Sequence, residues 1–109
     1  MSGFPPFIER LPEVDLPFAG ATGHLLQGET VQAVFIRFAQ DVAAPAHHHN
    51  AQWEIVLAGE VELEKDGEKR VYRVGESFYI PEGVIHAAQV KAGYHALILF
   101  DQPDRYRAK

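Results

Sequence analysis

Two stretches of the sequence decide the fold: Ala46–Gly59, A-H-H-H-N-A-Q-W-E-I-V-L-A-G, and Gly75–His86, G-E-S-F-Y-I-P-E-G-V-I-H. Each joins strand-forming apolar residues to a break marked by Gly or Pro, and each places histidine beside that break. Because residues two apart in an extended strand face the same side, His47 and His49 are predicted to point together into the interior. His86 begins a further strand after a turn. The two stretches therefore predict that neighbouring strands bring three imidazoles to one cavity.

The rest of the chain is predicted to be short strands between turns. Asp66-Gly67 is typical of the tight turn of a β-hairpin. No long stretch repeats apolar residues every 3.6 positions, as an amphipathic helix would. The seven or eight short strands therefore predict an all-β sandwich or barrel. The predicted elements are an extended arm over 1–18, a turn bracketed by Gly20 and Gly23, strands at 24–27, 31–40, 52–58, 60–65, 68–74, 77–80, 84–90 and 91–100, and a weakly helical tail at 102–109.

Length and composition limit the classes of protein that this chain can represent. At 109 residues it is expected to be a single domain, 1–109, with a barrel over 24–101. The absence of cysteine excludes disulfides and thiolate metal sites. A net charge of −5 without a basic run argues against nucleic-acid binding, and no stretch approaches the roughly 20 apolar residues of a membrane span. The N-terminus has no signal-peptide pattern, so we expect a cytoplasmic protein.

The histidines give the strongest chemical signal. Imidazole nitrogen is a ligand suited to zinc, copper, iron, nickel and cobalt, and three inward imidazoles can fill three positions of one coordination sphere. The alternative is that the run at 47–49 is an incidental polar loop and His86 a hydrogen-bonded core histidine. The position of His86 after Pro-x-Gly-x-x favours the metal site.

These two stretches resemble the two motifs of the cupin family. The second motif, G-x5-P-x-G-x2-H, is matched at four positions, and the first, H-x-H followed by a carboxylate or amide and a glycine, at four more. The matching residues are Gly75, Pro81, Gly83 and His86, and His47, His49, Gln52 and Gly59. The resemblance implies a cupin-type double-stranded β-helix, a jelly-roll barrel of two antiparallel sheets. It also implies a homodimer and one divalent transition metal ion (Zn, Fe, Mn, Ni, Co or Cu) held by His47, His49, Gln52 and His86.

The chain departs from the family pattern at three points. Asp41 stands where the first motif has its leading glycine, and only two residues separate His49 from Gln52, one fewer than usual. Pairing His48 at the usual spacing would leave Ala46 as its partner, which cannot bind a metal. Gln52 replaces the usual glutamate, and its carbonyl neutralises none of the ion's charge. Whether Gln52 ligates the metal or hydrogen-bonds a neighbour, and whether His48 contacts the ion, stays open at this stage.

Two further residues are candidates for catalysis. Glu54 lies two positions after Gln52, so strand alternation predicts that it faces the metal cavity as a general acid or base; past a bulge it would face solvent instead. Arg37 shares a strand face with Ala33 and Phe35. If that face is interior, Arg37 could hold a carboxylate substrate, but both faces of this strand are apolar, and the pattern does not decide.

Function divides into three hypotheses. The first is a metal-dependent enzyme, of isomerase, lyase, cyclase or dioxygenase type, acting on a small polar metabolite. The three-His-one-Gln set is similar to that of cupins that linearise unsaturated uronic acids, which implies a sugar acid as substrate. The second is a non-catalytic barrel that binds or senses a small ligand. The third is a dimeric protein with a relic site. The fold alone does not choose among them.

Overall fold

The computed structural model describes residues 3–109, so the first two residues of the predicted arm lie outside it. Over this range the chain forms one short helix and nine β-strands, and neighbouring strands in each sheet are antiparallel. The elements are α1 (Pro6–Glu9), β1 (Ala21–Gln27), β2 (Gln32–Phe38), β3 (Val42–His47), β4 (Gln52–Ala58), β5 (Glu60–Lys65), β6 (Glu68–Arg73), β7 (Ser77–Ile80), β8 (His86–Val90) and β9 (His95–Phe100).

The strands form two sheets whose inner faces share one core. The five-stranded sheet has the order β1-β2-β9-β4-β7, and the four-stranded sheet has the order β3-β8-β5-β6. Buried residues alternate along β2, where Val34 and Ile36 face inward, and along β5, where Val61 and Leu63 face inward from the other sheet. The prediction of an all-β, jelly-roll barrel of two antiparallel sheets is confirmed. Among residues 3–109, no helix is long and apolar enough to cross a membrane.

Strands bounded by turn residues lie where the sequence predicts them. The bounds of β4, β5 and β7 agree with the prediction to the residue. Asp66 and Gly67 both have positive φ, 53° and 76°, as a two-residue hairpin turn of type I′ requires, and they join β5 to β6. Local turn chemistry therefore accounts for this part of the barrel.

The prediction of a turn between Gly20 and Gly23 is wrong, because β1 begins at Ala21 and Gly23 lies inside it. A Cβ at Gly23 would lie 2.9 Å from Val14 Cγ2 and 3.0 Å from Val34 Cγ1. Glycine is needed here because the N-terminal segment passes close over the strand, and a side chain would separate them.

The predicted extended arm contains the four-residue helix α1, and its first part lies on the outer face of the five-stranded sheet. Val14, further along the arm, belongs to the core instead. The ring of Phe4 packs edge-on against Phe35, with centroids 5.7 Å apart. The prediction of a weakly helical tail is wrong. Ala108 forms a β-bridge to Val14 instead, so the tail is tied to the arm.

Candidate metal centre

The three predicted histidines come from two strand ends and a loop. His47 is the last residue of β3, and His86, opposite it in the register, is the first residue of β8. A register shift between Ala44 and His47 marks a β-bulge, which re-aims the end of β3. His49 lies in the loop after β3, and its carbonyl accepts a hydrogen bond of 3.0 Å from the N–H of Gly83. The second motif's turn therefore holds the first motif's loop in place.

The three imidazoles converge. The ring centroid of His47 lies 4.3 Å from that of His86 and 5.2 Å from that of His49, and the His49 and His86 centroids are 4.9 Å apart. One nitrogen from each ring lies within 4.8 Å of the other two. The sequence-predicted grouping of these three residues is thus present in the fold, and its donor set fits a divalent transition metal.

Backbone carbonyls orient all three rings. The Nδ1 atoms of His47, His49 and His86 lie 2.8, 2.7 and 2.9 Å from the carbonyl oxygens of Pro45, Asn50 and Val84. A carbonyl oxygen can only accept a hydrogen bond, so each Nδ1 carries the proton and donates it. In the neutral rings the lone pair is then on Nε2, which is the form in which histidine binds a metal.

Burial favours that neutral form for two of the rings. Desolvation lowers the pKa of His49 to about 4, and it lowers the pKa of His86 as well. Both pKa values are also lowered by charge repulsion from Arg105 and from His47. His49 and His86 are therefore neutral at physiological pH and need not lose a proton before binding a metal.

Gln52 and Glu54 are both buried and both line the cavity that the histidines enter. Gln52 Nε2 donates a hydrogen bond of 2.8 Å to Glu54 Oε1, and the hydroxyl of Tyr94 donates one of 2.5 Å to Glu54 Oε2. Because only the NH2 group of an amide can donate to a carboxylate, this contact leaves Gln52 Oε1 free to accept or ligate. Glu54 therefore orients Gln52, and Tyr94 orients Glu54.

The environment of Glu54 disfavours the ionised form of its carboxyl group. Burial raises its pKa to about 7, although the hydrogen bonds from Tyr94 and Gln52 act in the opposite direction. Burial also raises the pKa of Tyr94, as do the charge and hydrogen bond of Glu54, so the phenol stays protonated and remains a donor. The expectation that Glu54 faces the cavity agrees with this placement.

Arg37 does not reach the site. It lies on the face of β2 opposite Val34 and Ile36, where the arm covers the sheet, and its guanidinium is 3.7 Å from the carboxylate of Glu9. Its position therefore does not support the carboxylate-binding role considered for it, since a sheet separates it from Glu54. His48 is exposed and lies outside the group of three imidazoles.

Arg105 is a cavity residue that the sequence analysis missed. It lines the cavity from the C-terminal tail, with its guanidinium carbon 4.7 Å from the ring centre of Tyr106 and 5.7 Å from that of Phe100. Its buried Nε has no hydrogen-bond partner among residues 3–109. No local motif marks it. Tyr94 was also missed, yet its even spacing with the inward-facing Ile98 and Phe100 could have indicated it.

The enclosed part of the cavity is small and mostly apolar. Its volume is about 90 Å³, and its polar lining includes the three histidines, Gln52, Glu54 and Arg105. Such a space can admit the reacting end of a small polar molecule. A cation bound to three neutral imidazoles beside a guanidinium would attract an anionic oxygen.

Comparison with known proteins agrees with this architecture. The chain is similar to an RmlC-like cupin from Shewanella frigidimarina, at 28% identity over 89% of this chain and 87% of that one, with a TM-score of 0.75. It is also similar to KdgF from Halomonas sp., at 25% identity over 84% and 88% of the chains, with a TM-score of 0.71. Bacillus subtilis oxalate decarboxylase, which has Mn(II) centres, shares the fold at 20% identity, and the match covers 89% of this chain but 29% of that one (TM-score 0.71).

No curated protein matches the chain. The family model of the cupin domain matches residues 34–99, which include all three histidines and both motifs. The barrel, the motif residues and the family match agree with one another. The chain therefore belongs to the cupin family.

Proposed function

We propose that this cupin is a metal-dependent enzyme that acts on a small anionic metabolite, with a sugar acid as the leading substrate class. One observation carries the proposal: three carbonyl-oriented imidazoles converge on one point in a cavity that also holds a carboxyl group and a guanidinium. A purely structural cluster has no need for three rings with the same free nitrogen. The reaction class stays among isomerase, lyase, cyclase and dioxygenase.

In this proposal His47, His49 and His86 hold the ion, and Gln52 Oε1 is the fourth protein ligand. When bound, the metal would supply Lewis-acid polarisation of a carbonyl or hydroxyl oxygen. Since Gln52 is neutral, the site keeps the full charge of the ion. That charge favours an anionic substrate more strongly than a glutamate at the same position would allow.

The protein groups around the ion would bind and orient the substrate. Arg105 donates to a carboxylate of the substrate through its guanidinium N–H groups. Glu54 remains our candidate for moving a proton at the substrate, because its carboxyl group lies in the cavity wall and is held by two donors. The apolar wall, with Phe100 edge-on to His49 at 5.6 Å, excludes water from the reacting end.

Metal analysis tests the site. Purified His86→Ala should lose most of its bound metal, because second-shell changes alone cost about 10–100-fold in affinity and a lost ligand costs more. His48→Ala is the matched control, since His48 is exposed in the same histidine run, and it should keep the wild-type metal content. Equal metal content in His86→Ala and wild type would overturn the site.

Turnover separates the enzyme from its alternative, a barrel that only binds or senses a small ligand. Metal-loaded protein should convert a member of a panel of unsaturated and keto sugar acids, and Glu54→Gln should lose most of that rate while keeping its metal. Binding of a panel member without conversion would favour the binding module.

Cytoplasmic location stays a prediction from the sequence.

A further inference from the structure

The C-terminal tail, residues 101–109, brings Arg105 to the cavity without a regular strand or helix. Ala108 forms a single bridge to Val14, and residues 101–107 form bends and irregular backbone. The guanidinium of Arg105 lies over the ring of Tyr106, and none of the salt bridges within residues 3–109 includes it. A half-buried cation without a partner needs other contacts to keep it in place. The bonds that fix the tail therefore decide where this guanidinium lies.

Gln32 makes the most direct of those bonds. It is the first residue of β2, on the inward face that Val34 and Ile36 continue, and it is 1% exposed. Its Nε2 donates a hydrogen bond of 2.9 Å to the carbonyl oxygen of Tyr106, and its Oε1 accepts one of 3.0 Å from the N–H of Tyr106. One buried amide therefore pairs with both backbone groups of the residue that follows Arg105.

A neighbouring glutamine fixes the orientation of this amide. Gln32 Nε2 also donates a hydrogen bond of 2.9 Å to Gln27 Oε1, and Gln27 Nε2 donates one of 2.9 Å to the carbonyl oxygen of Pro103. If the Gln32 amide turned over, its NH2 group would face the N–H of Tyr106, and its oxygen would face two other oxygens. Gln27 and Gln32 therefore hold the tail on both sides of Arg105.

We propose that Gln32 is a positioning residue, which holds the tail so that the guanidinium of Arg105 faces the cavity. The use of that guanidinium to bind a substrate carboxylate rests on the proposed function, whereas its placement by Gln32 does not. Ile36 and Phe38, on the same face of β2, line the cavity, but Gln32 is not among the lining residues. A buried amide is costly unless it is hydrogen-bonded, and the backbone of the tail supplies two of the three bonds that Gln32 makes.

Other contacts attach the end of the tail, so the loss of the Gln32 amide should act locally. The N–H of Asp15 donates a hydrogen bond of 2.9 Å to the carbonyl oxygen of Arg107, and the N–H of Lys109 donates one of 2.7 Å to that of Glu13. Gln32→Met keeps a side chain of similar length but removes both polar groups. This variant should leave the end of the tail attached while it frees the middle of the tail.

Chemical modification of arginine tests the positioning without a substrate. Phenylglyoxal, followed by peptide mass spectrometry, should modify Arg105 roughly tenfold faster or more in Gln32→Met than in wild type, because two hydrogen bonds to the tail are lost. Arg107, exposed in the same tail, is the internal reference and should react equally in both proteins. Gln89→Met is the matched control, since Gln89 is exposed on β8 in the opposite sheet, and it should match wild type. Equal Arg105 rates in Gln32→Met and wild type would overturn the proposal.

A measurement on the wild-type protein does not depend on the folding of Gln32→Met. Residue-resolved amide hydrogen exchange by NMR should show that the N–H of Tyr106 is protected, because it donates to the buried Gln32 Oε1. Exchange of this N–H at the rate of an unstructured peptide would contradict the placement of the tail.

Kinetics separates positioning from a general effect on the fold. With a sugar-acid substrate, Gln32→Met should raise KM in the same direction as Arg105→Ala, with metal content unchanged. The double variant should have the KM of Arg105→Ala alone, because the loss of the guanidinium leaves nothing for Gln32 to position. Additive increases in KM would mean that Gln32 acts through the fold as a whole and would overturn its positioning role. If wild type converts no sugar acid, the proposed function fails, and the modification and exchange measurements still decide whether Gln32 positions Arg105.

Discussion

The buried carboxyl group of Glu54 should make the stability of the metal-free protein depend on pH. An acid whose pKa is raised by folding binds its proton more tightly in the folded state than in the unfolded state. Its contribution to the free energy of unfolding is therefore fully present below the pKa that the group has in the unfolded chain. That contribution is lost as pH rises through the pKa that the group has in the folded chain. For Glu54 that loss should occur between pH 4.5 and about 7. Glu54→Gln, which is similar in shape and never ionises, should not show it.

The size of the effect follows from the shift. The pKa of Glu54 is about 7 in the folded chain against an ordinary value of 4.5. Each unit corresponds to about 1.4 kcal/mol, so the ionised carboxylate lowers the free energy of unfolding by about 3 kcal/mol at pH 8. For a domain of this size, that equals a difference in Tm of more than about 10 °C. At pH 4 to 4.5, ionisation of Glu54 should contribute close to zero to the difference in stability between Glu54→Gln and wild type.

The assay is urea unfolding of chelator-treated protein at pH 4.5 and pH 8, followed by circular dichroism. The quantity of interest is the stability of Glu54→Gln minus that of wild type at each pH. His49 and His86 have lowered pKa values and destabilise both proteins as they become charged at low pH, so their effect cancels in this difference. Glu29→Gln, at an exposed position in the turn after β1, is the control and should show no change with pH.

The same difference at both pH values would refute the reasoning, because a constant offset would come from packing or hydrogen bonding rather than from ionisation. A wild type that is more stable than Glu54→Gln at pH 8 would refute it more directly. That result would mean that the donors Tyr94 and Gln52 outweigh the desolvation of the carboxylate.

Three other predictions concern separate parts of the molecule. Gln52→Glu should tighten metal binding and weaken binding of an anionic substrate, because formal site charge falls by one; unchanged or weaker metal affinity in a titration would mean that Gln52 is not a ligand. Arg105→Ala should raise the KM for an anionic substrate roughly tenfold or more with metal content unchanged, whereas the exposed Arg107→Ala should match wild type in the same kinetic assay. Gly23→Ala should lower the free energy of unfolding by about 1–3 kcal/mol, since its Cβ would press on Val14, and denaturant unfolding that shows no loss would contradict the close approach.

Local sequence determined much of the barrel. Alternation of apolar and charged residues in β5, and apolar stretches that end at Gly59 and Pro81 in β4 and β7, are properties of a few neighbouring residues. They were sufficient to place β4, β5 and β7 to the residue, and Asp66-Gly67 encodes its hairpin turn because both positions need positive φ. The two motifs likewise predicted which histidines would meet.

Segments whose conformation depends on distant contacts were predicted less well. Gly23 suggested a turn, but it serves a close approach between β1 and the N-terminal segment, and the tail at 102–109 follows its bridge to Val14 rather than its own weak helical pattern. His49 lies in a loop rather than on the strand that the sequence suggested, and a carbonyl contact from Gly83 holds it. Such contacts join residues that are far apart in the chain, so a pattern among neighbouring residues does not predict them.

The residues of the candidate site also fall into those that the sequence predicted and those that only the tertiary structure revealed. The sequence by itself determined the cupin motifs, and those motifs predicted the three imidazoles. It also determined the shared face of Gln52 and Glu54, because two-residue spacing within β4 decides which side chains lie together. The tertiary structure alone decided that Arg37 is excluded from the cavity and that Arg105 lines it. The physical reason is that β2 is apolar on both faces, so only packing chooses which one is inside. Arg105 comes from a tail that has no strand period and reaches the cavity only when the barrel has closed.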